Sequence, residues 1–121
     1  MQPLVLIVDD DARNRKLARD VLQVAGFRTL EAADGAEAIA IATEHVPAVV
    51  LLDVRLPDLG GAEVARRLRS NGPTASITIV ALSALGLADA AETLREAGFD
   101  GSIDKPIDIR QFPDQVRGYL R

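Results

Sequence analysis

The chain has 121 residues, with 14 lysine and arginine residues against 18 aspartate and glutamate residues, and no cysteine. The net charge of -4 gives no electrostatic basis for holding nucleic acid, and the missing thiols exclude disulfides, thiolate zinc sites and cysteine catalysis. This length predicts one domain spanning residues 1–121. The apolar run from Leu4 to Val8 is too short to cross a membrane and follows no charged segment, so neither a membrane span nor a signal peptide is predicted.

Short apolar runs alternate with amphipathic segments along the chain. The runs predict strands over residues 4–8, 28–32, 48–52, 77–82 and 101–104. The segments between them predict helices over residues 12–25, 36–45, 62–69 and 88–97, and a last helix carried by Ile109, Phe112, Val116 and Leu120. Five such alternations predict an α/β fold, a doubly wound (βα)5 sandwich around a five-stranded parallel sheet. With right-handed crossovers, the flavodoxin-like strand order 2-1-3-4-5 is the expected arrangement.

The first predicted helix shows how faces are assigned from spacing. Its apolar residues recur at near-helical intervals and are expected to face the core: Leu17, Val21, Leu22, Val24 and Ala25. Its charged residues are expected on the opposite face: Arg13, Arg15, Lys16, Arg19 and Asp20. Gly26 stands where a helix C-cap belongs, and Gly98 closes the fourth helix in the same way.

Polar or charged residues stand at the ends of four predicted strands: Asp9-Asp10, Asp53, Ser83 and Lys105. The carboxyl ends of parallel strands meet at one edge of the sheet, where functional groups gather. In the order 2-1-3-4-5 the first and third strands are neighbours, so the three aspartates meet. The sequence therefore predicts an acidic pocket with one lysine.

Three carboxylates at close range repel one another, and a divalent cation neutralises them. Oxygen ligands that are few in number favour Mg²⁺ over Ca²⁺. Asp53 ends the central strand and is the best nucleophile candidate, since carboxylates form aspartyl phosphates. The Lys105 ammonium and the Ser83 hydroxyl would supply the further charge neutralisation that phosphoryl transfer requires. Each residue alone is more often a turn or cap residue, so the prediction depends on their joint placement. Asp11 and Asp104 are expected to be surface charges, with Asp11 a minor candidate for the rim of the metal site, and His45 is expected to end the second helix.

From Leu4 to Leu120, the chain resembles the receiver domain of bacterial two-component response regulators. The motifs that carry the resemblance are Val8-Asp9-Asp10, Leu52-Asp53-Val54-Arg55-Leu56-Pro57 followed by Gly60-Gly61, Ser83-Ala84 and Lys105-Pro106. It implies that Asp53 is the phosphoacceptor and that Ser83 and Lys105 contact the phosphoryl group. It also implies that Mg²⁺ is held by Asp9, Asp10, Asp53 and the backbone carbonyl of Arg55, and that the Lys105–Pro106 peptide is cis.

The resemblance also implies partners. The phosphoryl donor would be a histidine of a sensor histidine kinase or of a histidine phosphotransfer protein, and a downstream protein target would dock around the fourth helix, fifth strand and fifth helix. Such a protein is cytoplasmic, and it is not an enzyme except that it catalyses its own phosphorylation and dephosphorylation. A narrower resemblance is to stand-alone DivK-like receivers, through the Ser-Ala-Leu segment at 83–85 and the Asp-Lys-Pro-Ile segment at 104–107. A receiver excised from a longer regulator or hybrid kinase fits the same residues.

One position departs from the family pattern. Ser102 stands three residues before Lys105, where receivers usually carry Tyr or Phe, and Phe99 is the nearest ring. We therefore expect Ser83, Ala84 and the segment 85–87 to carry most of the switch. Two alternatives stay open: a haloacid-dehalogenase-like phosphatase with Asp9 as its nucleophile, and a degenerate receiver that binds proteins without being phosphorylated.

Overall fold

A five-stranded, all-parallel sheet forms the centre of the molecule, in the computed structural model that describes residues 2–84 and 91–120, without the side chains of 84 and 91–93. The strands are β1 (Leu4–Val8), β2 (Arg28–Ala32), β3 (Val49–Asp53), β4 (Thr78–Ala84) and β5 (Gly101–Lys105). Their order across the sheet is β2-β1-β3-β4-β5, and every neighbouring pair is parallel. The predicted fold class and strand order are therefore confirmed.

Helices cover both faces of this sheet. They are α1 (Ala12–Val24), α2 (Gly35–His45), α3 (Gly61–Ser70), the described helix α4 (Ala91–Ala97) and α5 (Phe112–Arg117), and a short 3-10 helix covers Gly72–Thr74. Alternating side chains of β1, β3 and β4 enter two separate apolar cores. One core includes Leu6, Leu52 and Leu68, and the other includes Ile7, Leu51 and Phe112.

The inner strands owe their position to continuous hydrophobic sequence. All five residues of β3 are buried, and four of the five residues of β1 are buried. A parallel strand that is covered by helices on both faces needs apolar side chains at successive positions rather than at alternate ones. Asp53 is the exception at the end of β3, and its burial is the first sign that the sheet edge carries function.

Carboxylates and glycines set the ends of the helices. Asp11 is the N-cap of α1, and its side chain accepts a hydrogen bond from the Arg13 amide. Asp34 caps α2 in the same way, accepting from the Glu37 amide at 2.8 Å. Gly26 and Gly98 follow α1 and α4 with φ of 97° and 108°, a left-handed conformation that favours glycine. The predictions that Gly26 and Gly98 end these helices are confirmed.

The structure corrects several predicted boundaries and faces. Strand β4 continues to Ala84, so Ser83 lies within a strand and does not cap the following helix. Strand β5 likewise includes Lys105. Val24 is 91% exposed and Ile109 is 58% exposed, so neither faces the core. Periodicity placed them there because it measures spacing along the chain and carries no information on where the neighbouring element lies. Within the described residues, no helix combines the length and apolar character that crossing a membrane requires.

Candidate functional site

The predicted pocket residues gather at the carboxyl edge of the sheet. Asp9 and Asp10 follow β1, Asp53 ends β3, and Lys105 ends β5. One carboxylate oxygen from each of the three aspartates lies within 4.8 Å of the others. Because β1 and β3 are hydrogen-bonded neighbours, two strand ends suffice to bring together three acidic side chains from distant parts of the sequence.

Lys105 joins two of these carboxylates. Its Nζ lies 2.9 Å from Asp9 Oδ2 and 3.1 Å from Asp53 Oδ2. Asp9 is 2% exposed and Asp53 is 7% exposed, whereas Asp10 is exposed. Lys105 therefore supplies the positive charge that offsets two buried negative charges. The peptide bond between Lys105 and Pro106 is cis, as the family resemblance implies.

A backbone amide and an arginine side chain hold Asp9 in place from two directions. Its Oδ1 accepts a hydrogen bond from the Asp11 amide at 2.9 Å, and its carbonyl accepts one from Arg15 Nη1 at 2.7 Å. Arg15 also pairs with Glu31 at 3.4 Å, and its side chain is only 19% exposed. The prediction that Arg15 belongs to the solvent face of α1 is wrong. The spacing of residues along α1 carries no signal for this role, because both partners of Arg15 lie outside the helix.

The backbone after Asp53 turns closely around the carboxylate. The Arg55 amide donates to Asp53 Oδ1 at 3.0 Å, and the Gly61 amide donates to the Val54 carbonyl at 2.9 Å. A Cβ on Gly61 would lie 2.6 Å from the Asp53 carbonyl oxygen and 2.8 Å from Val54 Cα. Glycine is thus needed at the start of α3, because the helix approaches the main chain of the candidate phosphoacceptor directly.

Burial and ion pairing act in opposite directions on the charges of the pocket. Desolvation raises the pKa of Asp53 above its ordinary value of 3.8, although the Arg55 amide and Lys105 oppose the rise. Burial by itself would lower the pKa of Lys105, but hydrogen bonds to Asp9 and Asp53 outweigh it and raise that pKa above 10.5. Lys105 is therefore a fixed cation, and Asp53 is a carboxylate whose charge is only partly compensated.

The donor set fits a magnesium ion. It consists of carboxylate oxygens from Asp9, Asp10 and Asp53, which are the ligands that hard divalent cations prefer. The exposed Asp10 leaves the cluster open to solvent, in keeping with the waters that Mg²⁺ retains. A bound divalent cation would also relieve the repulsion that one lysine cannot fully offset.

Ser83 and Arg55 lie at the same pocket. A cavity of about 240 Å³ is lined by residues at or just after the ends of β1, β3, β4 and β5: Asp10, Asp53, Val54, Arg55, Leu82, Ser83 and Lys105. Ser83 is 5% exposed and pairs with Asp104 in the β4–β5 register. The five side chains that the sequence singled out, Asp9, Asp10, Asp53, Ser83 and Lys105, are thus gathered at one edge.

The remaining candidates lie outside the pocket or in other roles. Asp11 caps α1 and Asp104 is exposed, while His45 is the last residue of α2. Ser102 is exposed on β5, and Phe99 is 4% exposed within the core beneath the sheet. Phe99 therefore cannot act as the missing aromatic residue at position 102. The segment 85–87, which was expected to carry part of the switch, lies outside the described residues.

A model of the response regulator receiver domain matches residues 5–117. This chain belongs to the receiver domain family. The polar-differentiation response regulator DivK of Brucella anthropi is 33% identical over 120 residues, covering 99% of this chain and 98% of that protein. DivK of Brucella ovis is also 33% identical with the same coverage.

Solved structures of similar proteins agree with this assignment. A putative response regulator from Chloroflexus aurantiacus superposes with a TM-score of 0.93 at 30% identity, covering 99% of this chain and 98% of that one. The chemotaxis response regulator CheY4 of Vibrio cholerae gives 0.94 at 27% identity, covering 99% and 100%. The predicted resemblance is confirmed: the chain is a receiver domain of two-component signalling, similar to DivK and CheY4 over almost its full length.

Receiver domains are signalling phosphoacceptors that typically bind Mg²⁺ at an acidic pocket, and they interact with histidine kinases or phosphotransfer proteins and with downstream targets. The Asp9-Asp10-Asp53 cluster fits both a phosphoacceptor and a magnesium site. The phosphatase alternative made Asp9 the nucleophile. It finds no support, because the family model that matches residues 5–117 is that of the receiver domain.

Proposed function

We propose that this receiver accepts a phosphoryl group on Asp53 from a phosphohistidine of a sensor histidine kinase or of a histidine phosphotransfer protein. An Asp53 carboxylate oxygen attacks phosphorus, a P–O bond forms, and the P–N bond breaks with its electron pair going to the donor imidazole. The single observation that carries the proposal is Lys105 Nζ, which bridges Asp53 at 3.1 Å and Asp9 at 2.9 Å. An ammonium at this position is correctly placed to neutralise charge on a phosphoryl oxygen.

The other residues of the pocket would bind the metal ion and donate to the phosphoryl oxygens. Asp9, Asp10, Asp53 and the Arg55 backbone carbonyl would hold Mg²⁺, which when bound supplies positive charge to the phosphoryl oxygens. Ser83 would donate its hydroxyl to one of those oxygens, since it lines the same cavity as Asp53. The resulting acyl phosphate is hydrolysed by water, and the pocket itself catalyses both steps.

The output would be a change in docking surface. Ser83 lies in β4, directly before Ala84 and the segment 85–87, so a shift of its hydroxyl toward phosphate would reach α4, β5 and α5. Neither β5 nor the described α4 carries an aromatic residue, which supports a readout through Ser83 and residues 84–87 rather than through a ring. Amide chemical shifts measured with and without beryllofluoride and Mg²⁺ test this part, since unmoved signals over residues 84–90 would exclude it.

Acetyl phosphate provides the direct test of the phosphorylation site. Incubated with Mg²⁺, the wild-type chain should gain one acid-stable, alkali-labile phosphoryl group, detected as a mass increase and located by borohydride reduction of the acyl phosphate. Asp53→Asn should gain none, and Lys105→Met should be strongly impaired. The matched control is Asp104→Asn, because Asp104 is an exposed carboxylate on β5 beside Lys105.

Each outcome separates the candidate functions. A phosphoryl group on Asp53 supports the receiver mechanism, whereas a phosphoryl group on Asp9 would support the phosphatase alternative. No label on the wild-type chain, either from acetyl phosphate or from a phosphorylated histidine phosphotransfer domain, would favour a binding module that works without phosphorylation.

A further inference from the structure

The loop that follows the phosphoacceptor is tied to the start of a neighbouring helix. The 54–60 loop, which connects β3 to α3, contains Asp58. The two carboxylate oxygens of Asp58 accept hydrogen bonds from the Gly35 amide at 2.8 Å and from the Ala36 amide at 3.0 Å. One carboxylate in this loop thereby satisfies the first two amides of α2, which lack partners within the helix.

The two elements are also in close van der Waals contact. A Cβ on Gly35 would lie 2.9 Å from Leu59 Cβ and 2.8 Å from Val64 Cγ2, so the glycine lets the helix start reach the loop. Hydrogen bonds from the amides of Gly35, then of Leu59 and Ala36, hold the pKa of Asp58 below its ordinary value. Asp58 is therefore ionised at neutral pH, and its negative charge interacts favourably with the positive end of the α2 dipole.

The other end of this short stretch lies at the acidic pocket. The Arg55 amide donates to Asp53 Oδ1 at 3.0 Å, and only Leu56 and Pro57 separate Arg55 from Asp58. Proline fixes its own φ and restricts the residue before it to extended conformations. Two of the four residues from Arg55 to Asp58 are therefore restricted in conformation.

We propose that Asp58 is a positioning residue for the pocket: by fastening the 54–60 loop to α2, it fixes the Arg55 backbone relative to Asp53. The inference rests on the proposed function, in which the Arg55 carbonyl is a ligand of Mg²⁺. Asp58 contacts neither the ion nor the phosphoryl group, and it acts only through the three residues before it. Removing it should weaken magnesium binding although every ligand remains present.

The chain offers a matched control for this idea. Asp34 caps the same end of α2 by accepting from the Glu37 amide at 2.8 Å, but none of its hydrogen bonds in the described structure reaches the 54–60 loop. Asp58→Ala and Asp34→Ala each remove one carboxylate from the same helix terminus. Both should lower the unfolding temperature, whereas only the first should disturb the pocket.

Magnesium affinity measured by calorimetric titration gives the decisive comparison. We expect the Kd for Mg²⁺ to rise about 5- to 10-fold in Asp58→Ala, less in Asp58→Asn, which keeps one acceptor oxygen, and by less than about twofold in Asp34→Ala. Amide spectra without Mg²⁺ provide a second readout. The signals of residues 53–55 should shift in Asp58→Ala and stay in place in Asp34→Ala.

The outcomes distinguish this inference from the proposed function. A wild-type chain that binds no Mg²⁺ would overturn the proposed function. A wild-type chain that binds Mg²⁺, combined with unchanged affinity and unshifted residues 53–55 in Asp58→Ala, would overturn the positioning role alone. Equal losses of magnesium affinity in Asp58→Ala and Asp34→Ala would also overturn it. Such a result would mean that the lower affinity follows from the lower stability of α2 and not from the position of the 54–60 loop.

Discussion

Lys105→Met provides the strongest single test of the electrostatic account of the pocket. The substitution keeps an unbranched apolar side chain but removes the cation that pairs with the carboxylates of both Asp9 and Asp53. Two buried carboxylates would then lack their common partner. Truncating one member of a buried ion pair costs about 3–5 kcal/mol, because the remaining charge stays buried without compensation.

The structure favours the lower end of that range. The Lys105 side chain is 23% exposed, so water already screens part of the interaction. We therefore expect a loss of about 3 kcal/mol, which corresponds to a fall of about 12 °C in the unfolding temperature for a chain of this size. The measurement is thermal or urea unfolding in EDTA, followed by circular dichroism because the chain contains no tryptophan.

A double-mutant cycle separates this electrostatic effect from lost packing. If the deficit arises from uncompensated charge, Asp53→Asn should restore about 1–2 kcal/mol in the Lys105→Met background. Lys16 is the natural control, since it pairs with Asp20 at 3.6 Å on an exposed surface and Lys16→Met should cost less than about 1 kcal/mol. Strict additivity in the cycle, or a loss from Lys105→Met no larger than that of Lys16→Met, would refute the reasoning.

Three further predictions concern charge and close packing. Asp10→Asn should raise stability in EDTA by about 0.5–1 kcal/mol, because it removes partly screened repulsion from two nearby carboxylates, and thermal scans should show a smaller gain on adding Mg²⁺ than in wild type. The raised pKa of Asp53 means that its contribution to stability is present below pH 3.8 and is lost as the pH rises through the folded value. The stability of Asp53→Asn relative to wild type, measured by urea unfolding in EDTA, should therefore increase with pH over that window, and a decrease would contradict it. Gly101→Ala should cost about 1–3 kcal/mol, because the new Cβ would overlap the Tyr119 hydroxyl, and Tyr119→Ala in the same chain should recover part of that loss.

The sheet and its edge were predictable because their signals are local. Continuous apolar runs indicated strands that are buried on both faces, and the alternation with helices allowed few topologies. Once the strand order was assumed, the positions of Asp9, Asp53 and Lys105 followed from where each run ends. The cis bond before Pro106 was predicted only from the family resemblance, since nothing in the spacing of residues requires it.

Long polar side chains mark the limit of this kind of prediction. Arg69 was assigned only to the end of a helix, yet its guanidinium donates to the carbonyls of Ala75, Ile77 and Gly98 and pairs with Asp100 at 2.7 Å. These partners lie up to 31 residues away in sequence. Asp58 and Arg15 are similar, because each acts on a backbone group of another element. Spacing along one helix or loop cannot reveal a partner that only the tertiary fold supplies.

The charges of the pocket are incompletely balanced. One ammonium faces three carboxylates, so the unliganded pocket keeps excess negative charge. In the proposed function, a phosphoryl group on Asp53 would add further negative charge, which a divalent cation and Lys105 together would offset. Lys105 would then distribute its hydrogen bonds between Asp9 and the new oxygens instead of bridging two carboxylates. We therefore expect phosphorylation to change the partners of Lys105 at the end of β5, within the surface through which we expect the signal to leave.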